Sequence, residues 1–86
     1  MNSRQYSEQF LNYSRIERGL SANSLAAYSR DLDRFLLYMS SHRKSLHEFN
    51  ENDVEDFIQE LISTGLAPSS INRLVSTLRS FYRYLE

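Results

Sequence analysis

Apolar residues recur at helical spacing in four stretches of the chain, and the residues between them are ones that cap or break helices. The first stretch runs from about Tyr6 to Arg18, with Phe10, Leu11, Tyr13 and Ile16 at its apolar positions and Gly19 where a left-handed C-cap residue belongs. The second opens at Ser21 or Asn23, either of which can cap exposed amides, and continues to about Ser40. Its stripe is Leu25, Tyr28, Leu32, Phe35, Leu36 and Met39. A polar stretch from Ser41 to Leu46 predicts a loop. The third helix is predicted over about Asn52 to Thr64, burying Val54, Phe57, Ile58, Leu61 and Ile62 and stopping at Gly65. The fourth starts at Pro68, tolerated at a first helical position, and carries Ile71, Leu74, Val75, Leu78, Phe81, Tyr82 and Leu85. The pattern is all-α: one compact four-helix domain over residues 1–86, without repeat or linker.

Length narrows the function classes. A chain of 86 residues buries only about 60–65% of the surface its unfolded form exposes, which leaves room for one core and none for an interior cleft of ordinary enzyme size. With no cysteine and two histidines (His42, His47) at no ligand spacing, neither a disulfide framework nor a metal site is expected. No apolar run approaches the 18 or so residues that span a bilayer, and the N-terminus lacks a signal-peptide stretch, so a cytoplasmic chain is expected.

Charge changes the picture more than length does. The net value of −1 conceals a segregation. Residues 1–47 hold Arg4, Arg15, Arg18, Arg30, Arg34, Arg43 and Lys44 against Glu8, Glu17, Asp31 and Asp33. Residues 48–65 hold Glu48, Glu51, Asp53, Glu55, Asp56 and Glu60 and no base. Residues 66–86 hold Arg73, Arg79 and Arg83 against Glu86. Two basic segments therefore flank an acidic one. All the bases but Lys44 are arginine, which suits bidentate contact with phosphate or carboxylate and is also a good helix former. The acids of the third helix crowd its first two turns, where the helix dipole favours them.

At about 100° per residue, the side of the fourth helix opposite its apolar arc carries Ser69, Asn72, Arg73, Ser76, Arg79, Ser80 and Arg83. Small hydroxyls admit a backbone closely while arginines reach to either side, a composition suited to a phosphate backbone or a major groove. On the second helix Asn23, Ala27, Arg30 and Arg34 lie opposite the core, and the first turn adds Ser21, Asn23 and Ser24 with free amides that can meet phosphate. The third helix, offering only acids, is expected to face away from DNA. Such faces also occur on ordinary solvated helices, and composition alone favours a helical interaction module over DNA binding. Tyr28, Phe35, Phe81 and Tyr82 fall on the apolar stripes and read as core. Tyr84 falls on the polar side, with no converging arginines, acid or base to make it a nucleophile. His42 and His47 read as loop residues. Asp31 and Asp33, two apart on a helix, diverge and read as solvated or salt-bridged rather than as a metal pair.

Two stretches resemble a known family. Phe10-Leu11 … Glu17-Arg18-Gly19-Leu20-Ser21-Ala22-Asn23-Ser24 … Tyr28-Ser29-Arg30-Asp31-Leu32-Asp33-Arg34-Phe35 is similar to the opening of tyrosine recombinases of the Xer and phage integrase type. Pro68-Ser69-Ser70-Ile71-Asn72-Arg73 … Ser76-Thr77-Leu78-Arg79-Ser80-Phe81-Tyr82-Arg83-Tyr84-Leu85 is similar to the last helix of that family's core-binding domain. Order, spacing and shared length make the match specific over most of the chain.

The resemblance implies a SAM-like four-helix domain forming half of a clamp around a recombination core site, with the second and fourth helices on DNA. Carried over by position, Ser24 stands where the family usually has a DNA-facing threonine, Asn23 and Ala27 are base-proximal, and Arg30 reaches phosphate. Ser69, Ser70, Arg73, Ser76 and Arg79 take the contact positions of the last helix, with Arg83 beyond them. Tyr28 and Asp31 are family marks assigned to structure. Ala27 cannot hydrogen-bond a base edge, and Ala67 replaces the usual cap before the proline. The family's catalytic domain, with its nucleophilic tyrosine, would follow a linker beyond Leu85. This chain is thus expected to bind double-stranded DNA without cutting it and to use no metal or nucleotide cofactor. Its partners would be its own catalytic domain and other recombinase protomers in a tetrameric synapse. The competing expectation is a helical protein-interaction module that never meets DNA. A stand-alone DNA-binding regulator is weaker, since no helix-turn-helix spacing is apparent.

Overall fold

The computed structural model describes residues 2–86, which form four α-helices and one short 3₁₀ turn. They are α1 (Ser3–Glu17), α2 (Ala22–Ser41), a 3₁₀ turn at Leu46–Glu48, α3 (Glu51–Ser63) and α4 (Pro68–Leu85). The all-α expectation holds, and the helices pack into a flattened body of 34 × 29 × 17 Å.

Each boundary has a local cause. Asn2 and Gln5 form a capping box that starts α1 three residues before the apolar pattern does. Ser21 caps α2 by accepting from the Ser24 amide. Asn50 and Asp53 form a capping box on α3, whose first turn carries Glu51 and Asp53 at the positive end of the dipole. Ala67 precedes α4 with no side-chain cap bond, as its lack of a polar group requires, and Pro68 sits in the first turn. Gly19 (φ 63°) and Gly65 (φ 84°) adopt the left-handed conformation their positions call for. At the end of α2 it is Arg43 that takes this conformation, at φ 54°. The Lys44 and Arg43 amides close back onto the Met39 and Ser40 carbonyls, so the helix ends in a Schellman turn without glycine.

The core is built from Phe10 of α1, Leu32, Phe35, Leu36, Tyr38 and Met39 of α2, Leu46 of the 3₁₀ turn, Phe57 and Leu61 of α3, and Leu74, Leu78 and Phe81 of α4. Aromatic rings knit it together. Phe35 meets Phe49 edge-on at 4.7 Å and Phe57 and Tyr82 at 6.0 Å, while Phe10 meets Phe81 at 5.4 Å.

Four expectations need correction. Ile16 is 59% exposed and Tyr13 lies at the surface, because α1 buries Ser7, Phe10 and Ser14 and rotates its C-terminal apolar residues outward. Ile62 is 52% exposed, since α3 is covered only on the side that bears Phe57 and Leu61. The Ser41–Leu46 loop ends in a buried residue: Leu46 plugs the core, and its carbonyl accepts a 3.0 Å bond from the Tyr82 hydroxyl. Tyr84 lies half-buried against the rings of Phe10 and Tyr13 rather than on the polar side, because α1 packs over the flank of α4 that bears it.

Candidate nucleic-acid interface

Most of the candidate residues gather along the junction of α2 and α4. From α2 it takes Ser24 and Ala27, half-buried and on the helical side that bears Asp31, with Arg30 and Arg34 exposed one turn apart. From α4 it takes Ser70, half-buried, the exposed Ser69 and Ser76, and Arg73. The side chains at Ser24, Ala27, Ser70 and Ser76 are all small. Ser21 and Asn23 sit exposed at the start of α2, and the Ser21 hydroxyl is already engaged with the Ser24 hydroxyl at 3.1 Å and with the Ser24 amide.

The junction is bolted by an ion pair. The Asp31 carboxylate, 0% exposed, accepts from Arg73 Nε at 3.0 Å and Arg73 Nη2 at 2.8 Å. The Thr77 hydroxyl lies 3.0 Å from Asp31 Oδ2 and 3.0 Å from the Arg73 carbonyl. These hydrogen bonds hold the Arg73 pKa above its usual value, so its charge is permanent. Asp31 and Asp33 do diverge: Asp31 turns inward to α4, and Asp33 pairs at the surface with Arg4 at 3.2 Å. Among the described residues Arg30, Arg34, Arg79 and Arg83 have no ion-pair partner.

The remaining candidates spread away from the junction. Arg79 lines a groove of about 740 Å³ between α3 and α4 together with Glu51, Glu55, Val54, Val75 and Leu78, beside the acidic helix. Arg83 lines a shallow cleft of about 300 Å³ with Arg18, Tyr13, Ser80 and Tyr84. Arg18 also stands over the Tyr28 ring, 6.0 Å from its centre. Arg18 closes α1, outside the faces of α2 and α4 on which the pattern of small and basic residues falls. Asn72 is exposed on the outer face of α4.

Burial drives the Tyr82 phenol well above its ordinary pKa, and its proton is committed to the Leu46 carbonyl. Burial, with Asp56 and Glu60 nearby, raises the Tyr38 phenol as well. Among the described residues no group of three or more His, Cys, Asp or Glu side chains could hold a metal ion, and no helix is long and apolar enough to cross a membrane.

A small helical SAM-like domain with a basic seam between its second and last helices is the class these features define. The profile of the phage integrase N-terminal SAM-like domain matches residues 7–86, and the chain belongs to that family. It is 39% identical over 80 residues to the tyrosine recombinase XerD of Oceanobacillus iheyensis, covering 91% of this chain and 27% of that protein. The XerD of Chlorobaculum tepidum is 42% identical over 78 residues, covering 91% of this chain and 26% of that protein. The XerD of Staphylococcus aureus is 37% identical over 78 residues, with 90% and 26% covered. The chain thus spans about a quarter of the length of these relatives. No solved structure matches it significantly.

Proposed function

We propose that this domain is the DNA-binding half-clamp of a tyrosine recombinase, gripping one face of a recombination core site through α2 and α4 and carrying no catalysis of its own. The observation that supports this reading most is the α2–α4 seam. There two unpaired arginines on successive turns, Arg30 and Arg34, flank a strip of hydroxyls and Ala27, and the acid within the seam, Asp31, is fully buried against Arg73. Exposed acids are concentrated on α3 instead. Arginines contact phosphate bidentately and set register on the duplex, while the small residues let the sugar–phosphate backbone approach.

In a full-length protein of its relatives' size, the domain would hold the duplex while the rest of the chain carried out strand transesterification, with further protomers completing a tetrameric synapse. The second reading, a protein-interaction module, draws on Val54, Val75 and Leu78 in the groove between α3 and α4 and on the exposed Ile16, Leu37 and Ile62. An amide-shift NMR titration with a short duplex at low salt, repeated at high salt, tests the choice. Shifts confined to residues 21–34 and 69–83 and reversed by salt are expected. No shifts at low salt and high DNA concentration would refute DNA binding and leave the protein-interaction reading in its place.

A further inference from the structure

Burying a carboxylate in a domain this small is costly, and a pair of apolar residues of the same volume would hold two helices together at least as well as a buried ion pair does. Asp31 therefore needs a role beyond adhesion between α2 and α4. An apolar contact cannot orient a guanidinium, whereas Asp31 grips one edge of it with both carboxylate oxygens.

Arg73 approaches Asp31 side-on, through Nε and Nη2. The Thr77 hydroxyl holds the same carboxylate oxygen that Nε contacts, so Asp31 itself is fixed. A guanidinium has five N–H groups in a planar fork, and a side-on pair occupies two of them. The end-on edge, with one N–H from each Nη, is left unused, and Nη1 makes no hydrogen bond among the described residues. The side chain as a whole is 36% exposed although its partner is 0% exposed. By helical spacing Ser24 and Ala27 stand two turns and one turn before Asp31 on α2, and Ser69 and Ser76 about one turn to either side of Arg73 on α4, with Arg30 and Arg34 exposed on α2. Two parallel N–H groups match two oxygens of a phosphate. An arginine whose rotamer is already locked by the fold loses less entropy on binding than a free one.

We propose that Asp31 is a positioning residue for DNA binding, holding the end-on edge of Arg73 toward a backbone phosphate at the centre of the α2–α4 seam. This rests on the DNA-binding reading above and goes beyond it in assigning the central contact and the buried residue that directs it. Neutralising Asp31 separates this from plain electrostatics because the two predict opposite signs. Asp31→Asn adds one net positive charge to the seam, so charge alone predicts tighter binding and a steeper salt slope. If Asp31 positions Arg73, Asp31→Asn weakens binding to a short duplex by roughly five- to tenfold in a variant that circular dichroism shows to be folded.

Binding equal to or tighter than the parent would overturn the proposal. Should Asp31→Asn fail to fold, Arg73→Lys decides. It keeps the charge and a contact to Asp31 but cannot present two parallel donors, so the salt slope stays and affinity falls about threefold or more. Parental affinity in Arg73→Lys would overturn the proposal. Arg30→Ala serves as the control: a parent that binds, weakened by Arg30→Ala but not by either seam variant, refutes the positioning role alone. A parent that does not bind refutes both readings.

Discussion

Removing the two free arginines of α2 tests the interface where its geometry is simplest. Arg30 and Arg34 are exposed, one turn apart and without an ion-pair partner among the described residues, so Arg30→Ala and Arg34→Ala remove charge without opening the core. Suppose Arg30, Arg34 and Arg73 of the seam, and Arg83 outside it, each neutralise one phosphate. With about four phosphates contacted, the logarithm of affinity falls against the logarithm of salt with a slope of about −3.6, and raising salt from 50 to 200 mM weakens binding roughly 150-fold. The double variant retains about two contacts. Its slope is then about −1.8, and the same change of salt costs roughly 12-fold. Fluorescence anisotropy with a labelled duplex at four or five salt concentrations reads both slopes, and a thermal melt confirms that the fold is intact. A double variant with the parental slope would refute the seam as the phosphate-binding surface, whatever its absolute affinity. Arg79→Ala, beside Glu51 and Glu55 in the α3–α4 groove, should change the slope less than Arg30→Ala does.

Three further outcomes concern the fold that holds this surface. Phe35→Ala empties a fully buried site ringed by Phe49, Phe57 and Tyr82; a loss of about 3–5 kcal/mol is expected in urea titration, a large share of the roughly 5–15 kcal/mol typical of a domain. Arg43→Gly relieves a non-glycine residue at φ 54° and should raise stability by up to about 1 kcal/mol, whereas Gly65→Ala, at φ 84° with no steric neighbour, should lower it by about 1 kcal/mol. The Lys44–Asp53 pair at 2.6 Å gives a pH signature. The Lys44 hydrogen bond and the Asn50 amide hold the Asp53 carboxyl below its ordinary pKa, so its contribution is complete above the unfolded value of about 3.9 and fades as pH falls through the depressed folded value. Asp53→Asn should therefore melt below the parent at pH 7, with the gap closing toward pH 2; a gap independent of pH would contradict this assignment.

Periodicity revealed the four helices because each buries one stripe, and it located Gly19 and Gly65 because backbone conformation at a helix end is a local matter. It placed Ile16 wrongly for an equally physical reason. The buried line of α1 is Ser7, Phe10 and Ser14, and buried serines look polar in a sequence although they let helices approach. The start of α1 was also written locally, in Asn2 and Gln5, but lies outside the apolar pattern. A single apolar residue, Leu46, gives no period at all, so its burial shows only when the chain folds back beneath Tyr82. The candidate surface was half legible. Exposed arginines and hydroxyls on α2 and α4 follow from helical geometry, but the joining of Asp31 to Arg73, 42 residues apart, depends on how those helices cross. The same crossing separates Arg79 and Arg83 from the seam although the helical wheel groups them with Ser76.

The connection between α2 and α3 is the longest in the domain, yet it is fastened along its length. The Lys44 amide bonds to the Met39 carbonyl and its ammonium to Asp53, Ser45 and Glu48 box the 3₁₀ turn, and the Leu46 carbonyl receives Tyr82. A stretch anchored this way belongs to the same cooperative unit as the helices it joins. Anyone wishing to graft a tag, a fluorophore or a second domain into this scaffold should leave this stretch alone.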